Sequence, residues 1–409
     1  MGHLMKRSKC WPIYIMLMFL TLSLQSCLDI GDNGNFQTKG MNNGTQIGIN
    51  QTTQANFKGK LYFTLQHNLY TLDSQHNLTQ LTRGMNVRDP AVSPDGKWIA
   101  FIATYKNYTD LMLMSTTGGQ VKTLRSGNGT YIANPNSEFP KATYLWYAQP
   151  SWAADSKHLL FLSDLAKPYA DAGVDAFLLD LQVFSIAIDD PTATPQVVAY
   201  ATYGDGGNRD PSFRPGHADQ IIYTHYQYDP KTNYKQLVQI YLEDPNAISN
   251  NPGKYRPGTS DVEVDPALAL TPPEPDLVNF QPNFSPDGNA IAYIRRLDAT
   301  HMGLFIMPVP TDPGQLIQDP NNPDTQKKAL ASYAKSVQIV SGEYISQPVW
   351  SADGKQIAYI GYSNNTFDIR LANIELDKKT GAYSLKGEPI QLTDTKGQLD
   401  AESRPFWTP

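Results

Sequence analysis

Apolar residues in this chain come in short runs, such as Trp98-Ile99-Ala100-Phe101, Leu111-Met112-Leu113-Met114 and Val121-Lys122-Thr123-Leu124, separated by clusters of Pro, Gly, Asp and Asn. Runs of that length between turn residues predict short β-strands. One unit of the pattern recurs. Asp89-Pro90-Ala91-Val92-Ser93-Pro94-Asp95-Gly96-Lys97-Trp98-Ile99-Ala100-Phe101 is matched by Gln281 to Tyr293 and by Gln347 to Tyr359. Looser copies run from Gln149-Pro150-Ser151-Trp152 to Leu160-Phe161 and from Asp210-Pro211-Ser212-Phe213 to Ile222-Tyr223. A last copy, Arg404-Pro405-Phe406-Trp407-Thr408-Pro409, breaks off halfway, and Gly59-Lys60-Leu61-Tyr62-Phe63-Thr64 has the turn and strand that should follow it.

The anchoring prolines, Pro90, Pro150, Pro211, Pro282, Pro348 and Pro405, are separated by 60, 61, 71, 66 and 57 residues, which leaves room for four strands and their loops in each copy. A repeat of this size predicts an all-β toroid. Six copies, one divided between the two termini, predict a six-bladed β-propeller of four-stranded antiparallel blades over residues 57–409. Pairing of the N- and C-terminal strands in one blade closes it and removes open sheet edges. Proline opens a strand where its missing N–H costs no ladder bond. The aromatic or Val two residues later points into the packing between blades. In Ser-Pro-Asp-Gly, Pro fixes φ, Asp bonds the turn backbone and Gly takes the positive φ. Ser156 replaces the glycine in one copy and Pro215 to Asp219 lengthens another, so those hairpins differ locally.

Composition agrees with this picture, with 40% apolar residues, 23 Tyr, 30 Pro and 29 Gly in 409 residues. The formal charge of -6 carries no basic stripe, which argues against a nucleic-acid partner. Residues 1–26 read as an export signal, with Lys6, Arg7 and Lys9 ahead of the apolar run Trp11 to Leu24. Leu24-Gln25-Ser26-Cys27 resembles the lipobox of bacterial lipoproteins, which implies a lipidated Cys27. The only cysteines are Cys10 and Cys27, so the exported body has no disulfide. Losing the three leader cations takes the formal charge from -6 to about -9, which leaves acyl chains rather than electrostatics as the anchor. Residues 27–56 are rich in Asn, Gly, Gln and Thr and read as a flexible linker with a reach of roughly 30 Å.

The Pro-x-aromatic-Ser-Pro-Asp-Gly-Lys-x-Ile-Ala-Phe unit resembles the WD40-like repeat of TolB-type propellers, also found in propellers attached to prolyl-oligopeptidase-like enzymes. The resemblance covers about residues 57 to 409. It implies the propeller fold, while the export signal and the lipobox imply an extracytoplasmic bacterial protein held at a membrane, periplasmic or at the cell surface. Where TolB proteins carry an α/β domain ahead of the propeller, this chain has the linker.

Candidate chemistry is sparse. Asp95, Asp287 and Asp353 belong to turns, as do Gly96-Lys97 and Gly354-Lys355, which no Ser or Thr follows as a phosphate loop requires. A serine hydrolase of the propeller-containing kind needs a Gly-x-Ser-x-Gly elbow and a further α/β domain, and the chain has neither. His158 and His217 sit at the turn side and only His225 and His301 follow a second strand, which does not make a three-ligand metal site. No cofactor is expected. The position before each proline is polar throughout: Asp89, Gln149, Asp210, Gln281, Gln347 and Arg404, with Arg88 and Arg209 adjacent. In a propeller these residues converge on the mouth of the central channel, where convergent polar groups form a ligand site or else solvate the channel and bond strand ends.

Loops on the same face, including Ser163 to Val174 and Thr224 to Lys235, are joined by Tyr131, Tyr144, Trp146, Tyr147, Tyr203, Phe280 and Tyr344. The expected function is therefore a non-catalytic binding or scaffold module, a monomer, for a protein segment or envelope glycan at the channel mouth. It touches the membrane only through its lipid anchor. The alternative is a polysaccharide lyase or hydrolase working on the same face.

Overall fold

A computed structural model describes residues 35–40, 45–133, 141–165, 180–190, 192–201, 204–229, 233, 235–255 and 266–409. The leader and Cys27 lie outside the described residues. The described residues begin with a hairpin, β1 (Phe36–Gly40) and β2 (Gln46–Asn50), then the meander β3 (Lys60–Leu65), β4 (Asn68–Asp73) and β5 (Leu78–Gln80). A four-stranded sheet follows, β6 (Val87–Val92), β7 (Trp98–Thr104), β8 (Thr109–Ser115) and β9 (Lys122–Ser126). The small pair β10 (Tyr131–Ile132) and β11 (Lys141–Ala142) leads into β12 (Tyr147–Trp152), β13 (His158–Ser163), β14 (Gln182–Ala187) and β15 (Gln196–Ala199). Next come β16 (Asn208–Arg214), β17 (His217–Asp229), β18 (Lys235–Glu243) and β19 (Leu268–Ala269), and then β20 (Asn279–Phe284), β21 (Ala290–Arg296), β22 (His301–Pro308) and β23 (Val337–Glu343). The last full sheet is β24 (Ile345–Trp350), β25 (Gln356–Ser363) and β26 (Thr366–Leu376), whose outer side is shared by β27 (Tyr383–Leu385) and β28 (Ile390–Gln391). Two short strands, β29 (Thr393–Asp394) and β30 (Phe406–Thr408), end the chain.

The six-bladed expectation is corrected. The propeller has seven blade sheets, not six: six carry the Pro-Asp-Gly repeat, and the seventh is the three-stranded sheet β1-β2-β29. The repeat does not announce this sheet, because residues 36–50 belong to the segment expected to be a flexible linker. Ile47 and Ile49 are fully buried against Leu61 and Phe63 of β3, Ile369 and Leu371 of β26, and Leu392 and Leu399. Burying the two isoleucines stabilises by roughly 1.5–3 kcal/mol each, to which the ladders of β2 with β1 and β29 add. At the termini, β30 pairs with β3 through Lys60↔Thr408, Leu61↔Trp407 and Tyr62↔Phe406.

Each repeat-bearing sheet contributes one fully buried aromatic from its second strand at an equivalent position: Phe63, Phe101, Phe161, Tyr223, Tyr293 and Tyr359. The aromatics two residues after the prolines pack between sheets, with Trp152, Phe284, Trp350 and Trp407 in four different clusters. The turn aspartates bond within their hairpins. Ser93, Ser285 and Ser351 donate to Asp95 (2.6 Å), Asp287 (2.6 Å) and Asp353 (2.8 Å). Gly96, Gly288 and Gly354 have φ of 71, 68 and 67°, and Ser156 takes φ 58° in the copy lacking glycine. Two further departures concern connections. Thr224 to Asp229 is not loop but the end of β17, zipped to β18 down to Asp229↔Lys235. Between β22 and β23 the chain inserts a helix, Pro323–Tyr333, with Pro at its start and Asn322 Oδ1 accepting from Asp324 N (2.9 Å).

Candidate functional site

The residue before proline is normally extended, because the proline ring crowds its backbone. Here Asp89, Gln149, Asp210, Gln281 and Gln347 all take the left-handed conformation, with φ of 54, 47, 57, 54 and 54°. Each such residue costs roughly 1–2 kcal/mol, and each sits at a break in the ladder between the first and second strands. The break turns the backbone N–H out of the sheet, where a side chain of a neighbouring sheet receives it. Arg404 N donates to Asp89 Oδ1 (2.9 Å) and Gln149 N to Asp89 Oδ2 (3.3 Å). Asp210 N donates to Gln149 Oε1 (2.6 Å), and Gln149 Nε2 donates back to Asp210 Oδ1 (2.9 Å). Thr224 Oγ1 donates to Asp210 Oδ2 (3.1 Å) and accepts from Gln281 N (3.0 Å), while Gln347 N donates to Gln281 Oε1 (2.8 Å). Asp89 N is taken by Ser403 Oγ (2.9 Å). The pre-proline residues thus form a belt of hydrogen bonds running from sheet to sheet.

The belt is closed over. Asp89 is 0% exposed and Arg404 9%, Gln149, Asp210 and Gln347 are buried, and Gln281 is half-buried. Arg404 reaches across the hub, with Nη2 donating to Pro150 O (2.7 Å) and a longer approach of Nη1 to Pro211 O (3.4 Å). Burial pushes its guanidinium down from the usual arginine value, against the pull of Asp210 and Asp89. Burial likewise pushes the Asp210 carboxyl up, opposed by Arg404, Thr224, Arg209 and Gln149. Arg88 and Arg209 stand outside the belt and stay partly exposed. Arg88 Nε bonds Asp89 Oδ2 (3.2 Å) and its Nη2 bonds Glu402 O (3.0 Å). Arg209 Nη1 bonds Asn208 O (2.6 Å), with the guanidinium 5.9 Å from the centre of the Tyr226 ring.

Histidines do not gather here. His225 is buried, pushed down to about 4 by desolvation, and its Nδ1 lies 2.7 Å from Asn208 Oδ1. His301 Nδ1 instead meets Asp298 at 3.0 Å on an exposed loop. Among the described residues, no group of three or more His, Cys, Asp or Glu side chains is arranged to hold a metal ion.

The two faces differ. Second strands run away from the Asp-Gly turns, so the loops after them, and the connections into each proline, share the face of the belt. Nine large apolar side chains are exposed among the described residues, and seven lie on that face: Tyr105, Tyr131, Ile132, Trp146, Tyr228, Leu297 and Tyr344. Of the other expected aromatics, Tyr147 is buried, Tyr144 and Phe280 are half-buried, and Tyr203 lies outside the described residues. Tyr105 and Tyr108, which stack at 4.6 Å, escape the sequence reading because no repeat position marks them. Thr224 escapes it for the same reason. On the opposite face a cavity of about 260 Å³ opens along the axis, lined by Trp152, Phe213, Phe284, Trp350 and Trp407 with Arg404 at its edge. The indoles of Trp152, Trp350 and Trp407 donate to Ala91 O, Asn283 O and Lys58 O (2.9, 3.2 and 2.7 Å), so they line it with carbon faces.

A solved relative in shape decides how this arrangement is classed. TolB from Acinetobacter baumannii superposes with a TM-score of 0.53 at 15% identity, covering 88% of this chain and 68% of that one. The chain has a TolB-like propeller fold. At that identity the likeness is one of fold alone. Other propellers are similar more distantly. An oligogalacturonate lyase in complex with manganese gives a TM-score of 0.44 at 14% identity, covering 86% and 83% of the two chains. The β-propeller domain of the Trilobed protease from Pyrococcus furiosus gives 0.37 at 12% identity, covering 88% and 94%. No family model matches the chain, and no curated protein is similar to it. Among the described residues no helix is long and apolar enough to cross a membrane.

Proposed function

We propose that this chain is a non-catalytic binding or scaffold propeller of the bacterial envelope, tethered through a lipidated Cys27, that holds a protein segment or an envelope glycan on the face of the belt. The observation that carries this reading is the lopsided distribution of exposed large apolar side chains, seven of nine among the described residues lying on one face around a polar hub. Exposed aromatics mixed with hydrogen-bonding groups favour a recognition surface. In this reading Arg88 and Arg209 supply the accessible charge. Asp89, Gln149, Asp210, Gln281, Gln347 and Arg404 shape the hub from beneath, because they are buried or half-buried and bonded largely within the belt and to the strands beneath it.

The test is capture of partners from native membranes by the full chain. Arg88→Ala with Tyr344→Ala should lose the captured partner while Trp98→Ala, on the opposite face, keeps it. Equal capture by all three proteins would dismiss the face as the site. Cleavage of an added envelope or plant polysaccharide, protected by chelator, would overturn the non-catalytic reading in favour of a lyase or hydrolase.

A further inference from the structure

Four tyrosines on this face are organised beyond what burial requires. Tyr105 and Tyr108, in the loop between β7 and β8, stack with centroids 4.6 Å apart and planes 16° from parallel. Tyr108 continues onto Tyr144, 6.2 Å away at 14°, and Tyr131 closes the row edge-on to Tyr144 at 5.5 Å and 70°. The inner two rings are half-buried, whereas the end rings Tyr105 and Tyr131 are 43% and 59% exposed. Stacking hides the faces of the inner rings and fixes the outer two. Rigid exposed aromatics lose little conformational entropy on binding, which is the condition under which they act as anchors. Among the described residues flanking them, the exposed side chains include the small and neutral Asn107, Asn128, Thr130 and Ala133, the apolar Ile132 and, in the 105–108 loop, one charged group, Lys106.

We infer that the Tyr105–Tyr108–Tyr144–Tyr131 row is a stacking platform for an uncharged glycan, a proposal that rests on the binding-face reading and names its occupant. A pyranose ring offers a flat array of C–H groups for an aromatic face and a rim of hydroxyls, and both halves of that chemistry are present. The open rings take the C–H faces, and the amides of Asn107 and Asn128 and the Thr130 hydroxyl take the rim. An acidic chain would call for several cations around the tyrosines, whereas Lys106 is the one cation of the 105–108 loop. A peptide strand would pair with a free edge of the two-stranded β10–β11 sheet through its backbone, which makes no use of the open Tyr105 ring, so dependence on that ring separates the glycan from it.

The experiment is affinity electrophoresis of the full chain in native gels containing dextran, xylan or a mixed-linkage β-glucan, with polygalacturonate and heparin as charged counterparts. Retardation by at least one neutral polysaccharide is expected. Tyr105→Ala and Tyr131→Ala should each weaken it about tenfold or more, the loss typical of a central anchor, while Trp98→Ala leaves it unchanged. Tyr105→Phe should retain it, because stacking needs the ring and not the hydroxyl. Retardation by the charged polymers only, by none of the polymers, or undiminished in both alanine variants would overturn the inference. A membrane partner that still depends on Arg88 and Tyr344 would in that case leave the binding-face reading standing alone.

Discussion

Arg404 is the group on which the hub turns, and replacing it with alanine should cost about 3–5 kcal/mol of stability. The figure follows from what the guanidinium touches. It is the donor to Pro150 O at 2.7 Å and, weakly, to Pro211 O at 3.4 Å, and a buried acceptor left unpaired costs about 1–3 kcal/mol. It also neutralises the field of Asp210 and Asp89 in a site shut off from water, and stripping the cation from buried carboxylates costs about 3–5 kcal/mol. These effects overlap, so the larger range bounds the total. The carboxylate share has a pH signature. Asp210 has a raised folded-state pKa, so it binds more protons folded than unfolded, and its contribution to stability falls as pH rises from the unfolded value of about 3.9 through the folded one. Without Arg404 that folded value climbs further and the decline deepens. The loss in Arg404→Ala should therefore be greater at pH 7 than at pH 4, and Asp210→Asn should recover part of it at pH 7. Urea unfolding followed by fluorescence reports directly, because Trp152, Trp350 and Trp407 line the adjoining cavity. A loss under about 1 kcal/mol, or one independent of pH and of Asp210→Asn, would show that the hub is not held by this arginine.

Closure of the ring gives a second test: Gly59 has φ 82°, and a Cβ there would lie 1.9 Å from Thr408 O. Gly59→Ala should displace β30 from β3 and destabilise by about 2–4 kcal/mol, read by chemical unfolding and by faster proteolysis of the C-terminus. His225, pushed down to about 4 by burial, should make the fold acid-sensitive between about pH 6.5 and 4. The unfolded chain binds the extra proton in that window, so about 3 kcal/mol is lost as pH falls. His225→Phe should flatten that limb of the pH–stability curve, and an imidazole that titrates by NMR near 6.5 would refute the assignment.

The repeat was legible because each of its residues answers a local need. Gly96, Gly288 and Gly354 supply positive φ, the turn aspartates supply acceptors, and one aromatic per sheet supplies core volume. Local needs leave marks in sequence. The seventh sheet left none, since Gln46-Ile47-Gly48-Ile49-Asn50 shows alternation over only five residues, inside a polar stretch, and its partner β29 is two residues long. The helix Pro323–Tyr333 was equally hidden, because it buries Thr325, Ala329 and Ser332 rather than a stripe of large apolar side chains. At the hub, convergence could be read from the polarity of the six pre-proline positions, but their burial could not. Pre-proline residues are ordinarily extended, and nothing in Asp-Pro or Gln-Pro foretells a left-handed backbone whose N–H must find an acceptor on another sheet.

That backbone conformation, shared by five of the six positions, accounts for the oxygen-bearing side chains at three of them, Asp89, Gln149 and Gln281, each of which accepts the N–H of another pre-proline residue. An extended residue would keep its N–H in its own ladder and could carry any side chain, whereas the left-handed one exports its N–H and requires its neighbour to present an oxygen. Asp89 meets two such demands at once, from Arg404 and Gln149. It is also fastened to Arg88, whose second bond runs to Glu402 O in the approach to the closing strand. An exposed arginine is thereby tied through one buried carboxylate to the pairing of the two chain ends. A ligand that draws Arg88 away must give up or share the bonds that steady residues 402–404, whereas one that accepts from the outward side of the guanidinium leaves them intact. In the proposed binding reading, the orientation in which Arg88 would meet a partner is in this way set by the closure of the propeller.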